Sequence, residues 1–385
     1  MKLTYGNPSD VGMSAEKITR LEALQKEWVE KGVSPIMVSL IARKGVIVSY
    51  KLFIDPDYNR EYGPFGIDTI FQLASISKPV TATSIMLLAE EGKVSPACPV
   101  QDYLPEFTGK NKDKVLLHHL LTHTSGLDEE KLDEIFKSDN FSKDTADCPE
   151  NQDPNIYIYL KAGCNVPLKT MPGMEMSYCG LGFNLLAEIV RRESSRNIDE
   201  FTTERIFEPL GMKDSFYIVP DEKVSRVAKH PANAPFPHFS DYERLKRPWG
   251  QGGLCSTAMD MAVFCQMLLN GGVYDGKRIM SKLSIDRMTT NQIPGVSSRY
   301  GDEFFKEACW GLGWNVSGKK QDYTGTLRSE KTFSHSGRGN TQIMVDPENE
   351  LITINFQVTM KRINNRAYHN FEYFNDCALA SIIDL

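Results

Sequence analysis

Ser75-Ile76-Ser77-Lys78 can place a hydroxyl and an amine one helical turn apart. A serine hydroxyl attacks well only when a neighbouring base takes its proton. An amine serves as that base when burial beside a helix N-terminus pulls its pKa well below the ordinary value of about 10.4. The S-x-x-K spacing occurs three times, at Ser14/Lys17, Ser75/Lys78 and Ser317/Lys320, so context must separate them. Ser14 opens a polar amphipathic run and reads as a helix N-cap. Ser317 lies in the Gly- and Lys-rich stretch 316–325, which reads as a solvated loop. Ser75 follows the apolar run Ile70-Phe71-Gln72-Leu73-Ala74 and precedes a helical segment over 80–91. Only this copy is expected to be buried and anchored. Pro79 costs little so near a helix start, where its missing N–H is not needed, and it fixes the geometry there.

Two other stretches offer partners. Tyr178 stands ahead of a helix, after the turn Pro172-Gly173. Beside a cationic lysine its phenolate becomes accessible, which makes it a candidate base for Ser75 and later an acid for the leaving group. On its own, such a tyrosine is more commonly a packed aromatic with a satisfied hydroxyl. Phe333-Ser334-His335-Ser336-Gly337-Arg338-Gly339 leads into a strand over 341–345, and its glycines let a substrate carbonyl approach the backbone. A backbone N–H there, together with that of Ser75, would form an oxyanion hole. His335 would hydrogen-bond Tyr178 or a polar group of the substrate, although a lone histidine is more often structural. His119 and His123 share an i, i+4 spacing, but no third ligand accompanies them, so they read as packing and capping residues. No metal or cofactor is expected.

The elements that must carry these groups follow from periodicity. Residues 14–32 form an amphipathic helix with Ile18, Leu21, Leu24 and Trp28 on one face. Runs 36–42 and 46–53, joined by Arg43-Lys44-Gly45, form a hairpin. Helical patterns then dominate, as at 183–192 and 258–269. Strands return at 311–316, 341–345 and 351–358, and a helix over 367–383 closes the chain. Strands at both ends around a helical middle predict an α+β fold: one sheet built from distant segments, with a helical part inserted and a cleft between them. The acidic stretch 128–170 is expected to be an irregular surface excursion or lid. Aromatics such as Trp249, Phe304, Phe305 and Trp310 are candidates for an acyl pocket.

The bulk composition narrows the function. The chain has 385 residues, 41% hydrophobic, with a net charge of −6 and a pI near 5.8. That balance argues against nucleic-acid binding, and the short cluster Lys361-Arg362…Arg366 reads as a solvated face. The N-terminus lacks an apolar leader and no long uncharged span follows, so a cytoplasmic protein without a membrane span is expected. The eight cysteines include no C-x-x-C pair and read as free thiols. Oligomeric state is not legible.

In this order and spacing, the three elements resemble the class C β-lactamase-like branch of the serine β-lactamase and penicillin-binding-protein superfamily, which includes family VIII esterases. Further matches are His119-Leu120-Leu121-Thr122-His123-Thr124-Ser125-Gly126-Leu127, Glu204-Arg205-Ile206-Phe207-Glu208-Pro209-Leu210-Gly211-Met212, the segment 250–272 and Trp310-Gly311-Leu312-Gly313-Trp314. The resemblance implies a β-lactamase/transpeptidase-like fold: an antiparallel sheet flanked by N- and C-terminal helices, with an all-helical insertion. As one domain, 1–75 and 300–385 would form the α/β part and 76–299 the mostly helical part. It implies Ser75 as acylated nucleophile, Lys78 as activator, Tyr178 as general base, and His335-Ser336-Gly337 in place of K-T-G. The N–H groups of Ser75 and Arg338 would hold the oxyanion, and Gly180, Trp249, Ser336 and Gly337 would stand on the substrate side.

Two departures bear on the substrate. Gly180 occupies the position of an expected asparagine, and His335 removes a permanent charge that would attract a substrate carboxylate. Both point away from penicillins and D-Ala-D-Ala peptides. The expected function is a serine hydrolase acting on a small-molecule ester or small amide through an acyl-enzyme, with acyltransferase activity where an alcohol or thiol displaces water. The alternatives are a β-lactamase or D-amino-acid peptidase, and a catalytically silent binding protein of the same fold. No G-x-S-x-G elbow is present, which argues against a conventional α/β-hydrolase.

Overall fold

The computed structural model describes residues 1–300, 303–361 and 369–384. Among them the main sheet has seven strands: β1 (Thr4–Tyr5), β2 (Ile36–Arg43), β3 (Val46–Ile54), β4 (Asn315–Val316), β5 (Phe333–Gly337), β6 (Thr341–Asp346) and β7 (Leu351–Gln357). Their spatial order is β1-β3-β2-β7-β6-β5-β4. The N-terminal hairpin therefore joins the C-terminal strands through the β2–β7 pair, Leu40 opposite Ile354. Lys44 and Gly45 turn the hairpin with φ of 50° and 78°, a region glycine enters freely.

Both faces of the sheet are buried, and the period of two sorts its side chains. Ile36, Val38, Leu40 and Ala42 face the helical part of the molecule. Met37 and Ile41 face the other way, into a core with Leu21 and Trp28 of α1 (Ala15–Glu30) and Phe374 of the closing helix (His369–Ala380). Double burial is why these strands read as nearly continuous apolar runs. Ser14 caps α1, its Oγ accepting the Lys17 N–H at 3.3 Å. Against the first face lies α4 (Ala258–Leu269), and in the same core α2 (Ser77–Glu90), whose side chains are buried from Ser77 through Leu88, packs against α3 (Gly180–Ser194).

The structure corrects several expectations. The sheet is mixed, because β1 pairs with β3 in parallel. The insertion is not all helical: Phe71–Gln72 pairs with Cys255–Ser256, Val273–Tyr274 pairs with Lys277–Arg278, and Ser298–Tyr300 pairs with Glu303–Phe305. The strand expected over 311–316 shrinks to Asn315–Val316. Gly311 N–H turns back to the Trp314 carbonyl, and a Cβ on Gly313 would meet Ala82 at 2.6 Å, so this stretch is a turn pressed onto α2. The acidic excursion carries helices at Leu132–Lys137 and Pro154–Gly163, the second capped by Asp153. Ser317 is buried and the Lys320 side chain is largely covered rather than solvated, because their loop wraps the Asp322–Arg328 ion pair, whose side chains are buried. Arg362, Arg366 and Ala367 lie outside the described residues. All eight cysteines are free thiols. Among the described residues no helix is long and apolar enough to cross a membrane.

Candidate active site

Ser75 sits in a 3-10 turn, Ala74–Ile76, that runs directly into α2. Its neighbours are buried, while Ser75 itself is half-exposed on a cavity. Ala74 has φ of 45°, a left-handed conformation that costs an alanine roughly 1–2 kcal/mol. Surrounding bonds hold it there. Leu73 N–H donates to the Leu254 carbonyl at 2.8 Å. Ser77 Oγ donates to the Ala74 carbonyl at 2.7 Å and accepts the Leu254 N–H at 2.9 Å. The second serine of the tetrad thus anchors the turn that presents the first.

One turn into the helix, Lys78 is 2% exposed. Its Nζ lies 3.1 Å from Ser75 Oγ and donates to the Gln251 carbonyl at 2.8 Å. Burial pulls its pKa down to about 7, while the negative charge of Glu129 pulls back up. A large fraction of Lys78 is therefore neutral at neutral pH. The other two S-x-x-K copies lack this geometry. Lys17 Nζ donates to the Ala380 carbonyl, and Lys320 Nζ to the carbonyls of Ala308 and Cys309 and to Asn315 Oδ1.

Tyr178 lies under the lysine, its ring centroid 4.9 Å from Nζ. His123 stacks behind it at 4.3 Å and accepts the Cys179 N–H through Nδ1 at 3.1 Å. His119 does not share a face with His123: it accepts the Leu116 N–H at a helix start, whereas His123 follows the helix with φ of 57°. The accessible phenolate is corrected. Burial pushes the Tyr178 phenol above its ordinary range, and the neighbouring Ser75 hydroxyl only partly offsets that. Tyr178 is a neutral phenol beside Ser75.

β5 supplies the opposite wall. A Cβ on Gly337 would overlap the Leu73 carbonyl oxygen, so only glycine lets this strand lie so close to the Ser75 turn. Thr341 Oγ1 donates to the same carbonyl at 3.2 Å. Buried His335 is pushed down to a pKa of about 3 by desolvation and stays neutral. Its Nδ1–H donates to the Ser336 carbonyl at 2.9 Å, which leaves Nε2 as an acceptor.

These groups open on one cavity of about 350 Å³, within the range of small-molecule sites. Ser75, Tyr178, His335, Ser336, Gly337 and Arg338 all line it, with Phe305 and Trp310 among its aromatic walls. Three expected members stand elsewhere. Trp249 packs its ring against Tyr159 at 5.0 Å, Phe304 is 57% exposed, and Gly180 donates its N–H to Glu129 Oε2 at 2.8 Å.

The beta-lactamase family profile matches residues 21–373. The chain belongs to the beta-lactamase family. A putative D-alanyl-D-alanine carboxypeptidase of Escherichia coli K12 is 24% identical over 390 residues, covering 91% of this chain and 84% of its own length. A penicillin-binding protein homologue from Caulobacter crescentus superposes with a TM-score of 0.75 at 23% identity, covering 96% and 99% of the two chains. A family VIII carboxylesterase superposes with a TM-score of 0.70 at 19% identity, covering 96% and 98%. These place the chain in the beta-lactamase-like serine hydrolase superfamily with its α+β fold.

Two residues at this family member's site escaped the sequence reading. Gln251 contributes a main-chain carbonyl, for which side-chain identity gives no signal. Glu129 hides in the acidic run Asp128-Glu129-Glu130, yet it turns inward to accept the N–H groups of Gly180 and Leu181 at 2.8 and 2.9 Å. It caps α3 and places a negative charge near Lys78. Glu129→Gln removes the charge that raises the Lys78 pKa, so the acid limb of any lysine-dependent rate should move to lower pH. The weakened cap should cost about 1 kcal/mol. A pH–rate profile alongside a urea melt measures both.

Proposed function

We propose that this chain hydrolyses a small ester or amide through an acyl intermediate on Ser75. The observation that carries the reading is Lys78 Nζ, held near a pKa of 7 and 3.1 Å from the Oγ of Ser75, which lines the cavity. Neutral Lys78 takes the Ser75 proton as Oγ bonds to the substrate carbonyl carbon. The N–H groups of Ser75 and Arg338 receive the developing oxyanion; losing one such donor typically costs roughly 10²–10³ in rate. Tyr178, a neutral phenol beside Ser75, passes its proton to the leaving alcohol or amine as the C–O or C–N bond breaks. It is then reprotonated from Lys78. Water repeats the sequence in reverse roles and frees the acid; an alcohol or thiol in its place makes the enzyme an acyltransferase.

His335 shapes the substrate preference. Neutral and buried, it offers a lone pair rather than a positive charge, so a carboxylate gains no ion pair there. Incubation with p-nitrophenyl butyrate and a fluorophosphonate tests the reading. Turnover and a mass adduct on Ser75, both lost in Ser75→Ala, are expected. A wild type that neither turns over nor labels defeats the proposal. The carboxypeptidase-named relative favours a second reading, in which the acyl group comes from a β-lactam or D-amino-acid peptide. Nitrocefin turnover matching ester turnover would decide for it.

A further inference from the structure

Gly180 and Gln251 fit each other. A Cβ added to Gly180 would overlap Gln251 Oε1 and lie 2.9 Å from its Cδ. The Gln251 carboxamide therefore fills the space that any side chain at position 180 would need. Tyr159 stands beside it, its hydroxyl donating to Glu129 Oε1 at 3.5 Å. The backbone around it is laced to two helices. Gln251 N–H donates to Asn184 Oδ1 at 3.1 Å, and Thr81 Oγ1 donates to the Gly250 carbonyl at 2.8 Å. Gly252 and Gly253 N–H groups close a turn onto the Trp249 carbonyl at 3.1 and 2.7 Å.

This turn delivers one group to the site, the Gln251 carbonyl, 2.8 Å from Lys78 Nζ. A neutral amine has two N–H bonds and one lone pair. When one N–H is committed to a fixed carbonyl, the lone pair can be aimed at the Ser75 hydroxyl, 3.1 Å away. A turn that drifts would leave the amine free to rotate.

We propose that the Gln251 side chain, seated against the bare face of Gly180, is a positioning residue: it locks the 249–253 turn so that the Gln251 carbonyl orients Lys78 toward Ser75. Glycine at 180 is then a requirement of this arrangement, not merely the loss of a side chain. The inference rests on acyl transfer through Ser75 and Lys78.

The test compares full-length wild type, Gln251→Ala, Gly180→Ala and the double variant on p-nitrophenyl butyrate. Misplacing a reacting group by about 1 Å can cost on the order of 100-fold, so each single variant should lose roughly 10–100-fold in kcat with KM nearly unchanged. Each should also move the acid limb of the pH–rate profile. Both changes break one fit, so the double variant should be no slower than the slower single one. Wild-type kcat and acid limb in folded Gln251→Ala, or losses that simply multiply in the double variant, overturn the proposal. If Gln251→Ala does not fold, Gly180→Ala decides alone, and wild-type kcat there overturns it. A wild type that fails to label at Ser75 defeats the acyl-transfer reading instead, which separates the two failures.

Discussion

Lys78→Met should lose on the order of 10³–10⁴ in kcat/KM toward an activated ester and yet be more stable than the wild type at pH 6. The first effect follows from removing the only amine within reach of Ser75 Oγ among the described residues. The second follows from burial. Lys78 is 2% exposed, with a folded pKa of about 7 against 10.5 for the free side chain. Between those values the unfolded chain binds more protons than the folded one, so wild-type stability rises with pH across that window. Below pH 7 the folded protein must bury an ammonium, which methionine of similar length avoids. The gain should be roughly 1–3 kcal/mol at pH 6 and should shrink toward pH 10. Thermal melts at both pH values, with circular dichroism as the readout, measure it. A variant that melts below wild type at pH 6 would show that the lysine is paid for elsewhere in the fold. The wild-type rate should correspondingly climb as pH rises through about 7.

Gly337→Ala should be the most damaging single methyl in the site. The added carbon would overlap the Leu73 carbonyl oxygen and Thr341 Oγ1 and lie 3.0 Å from the Leu73 carbonyl carbon. Two of these atoms are backbone, so no side-chain rotation relieves the clash. Either β5 or the Ser75 turn must retreat, at a cost of about 1–3 kcal/mol for an overpacked contact. Retreat also separates the Arg338 and Ser75 N–H groups, and a lost oxyanion donor costs roughly 10²–10³ in kcat. Gly339→Ala is a useful comparison. It carries a positive φ of 99°, but the nearest atoms its Cβ would meet are in the side chains of His230 and Phe239, at 3.2 and 3.3 Å. It should lose stability with a smaller loss of kcat. Equal kcat losses in the two variants would mean that Gly337 is not special to the oxyanion edge.

Much of the candidate site's geometry was legible because it is local. Ser75 and Lys78 are three residues apart, and a helical turn alone brings them together. Ser336, Gly337 and Arg338 follow one another along a strand end. Glu129 was illegible because three consecutive acidic residues look alike until one of them meets the N-terminus of α3. The contrast between Ser75 and Ser317 was misjudged for a related reason. Glycines and lysines at 316–325 suggest solvent, but Lys320 satisfies its three donors on carbonyl and amide oxygens beside the covered Asp322 side chain. Burial did not separate the two copies. The direction in which each lysine points did.

The sequence by itself determined the elements and their order, since periodicities of 2 and 3.6 report which faces are apolar. It also offered the serine–lysine pair, since that spacing is shorter than one helical turn, although two other copies share it. Only the tertiary structure decided the protonation states. The pKa of Lys78 near 7, the neutral Tyr178 phenol and the neutral His335 all result from desolvation, which depends on what segments hundreds of residues apart exclude from water. Tertiary packing likewise turned Gly180 from a missing side chain into the seat of Gln251. No local pattern encodes a fit between positions 180 and 251, because it exists only once the chain has closed on itself.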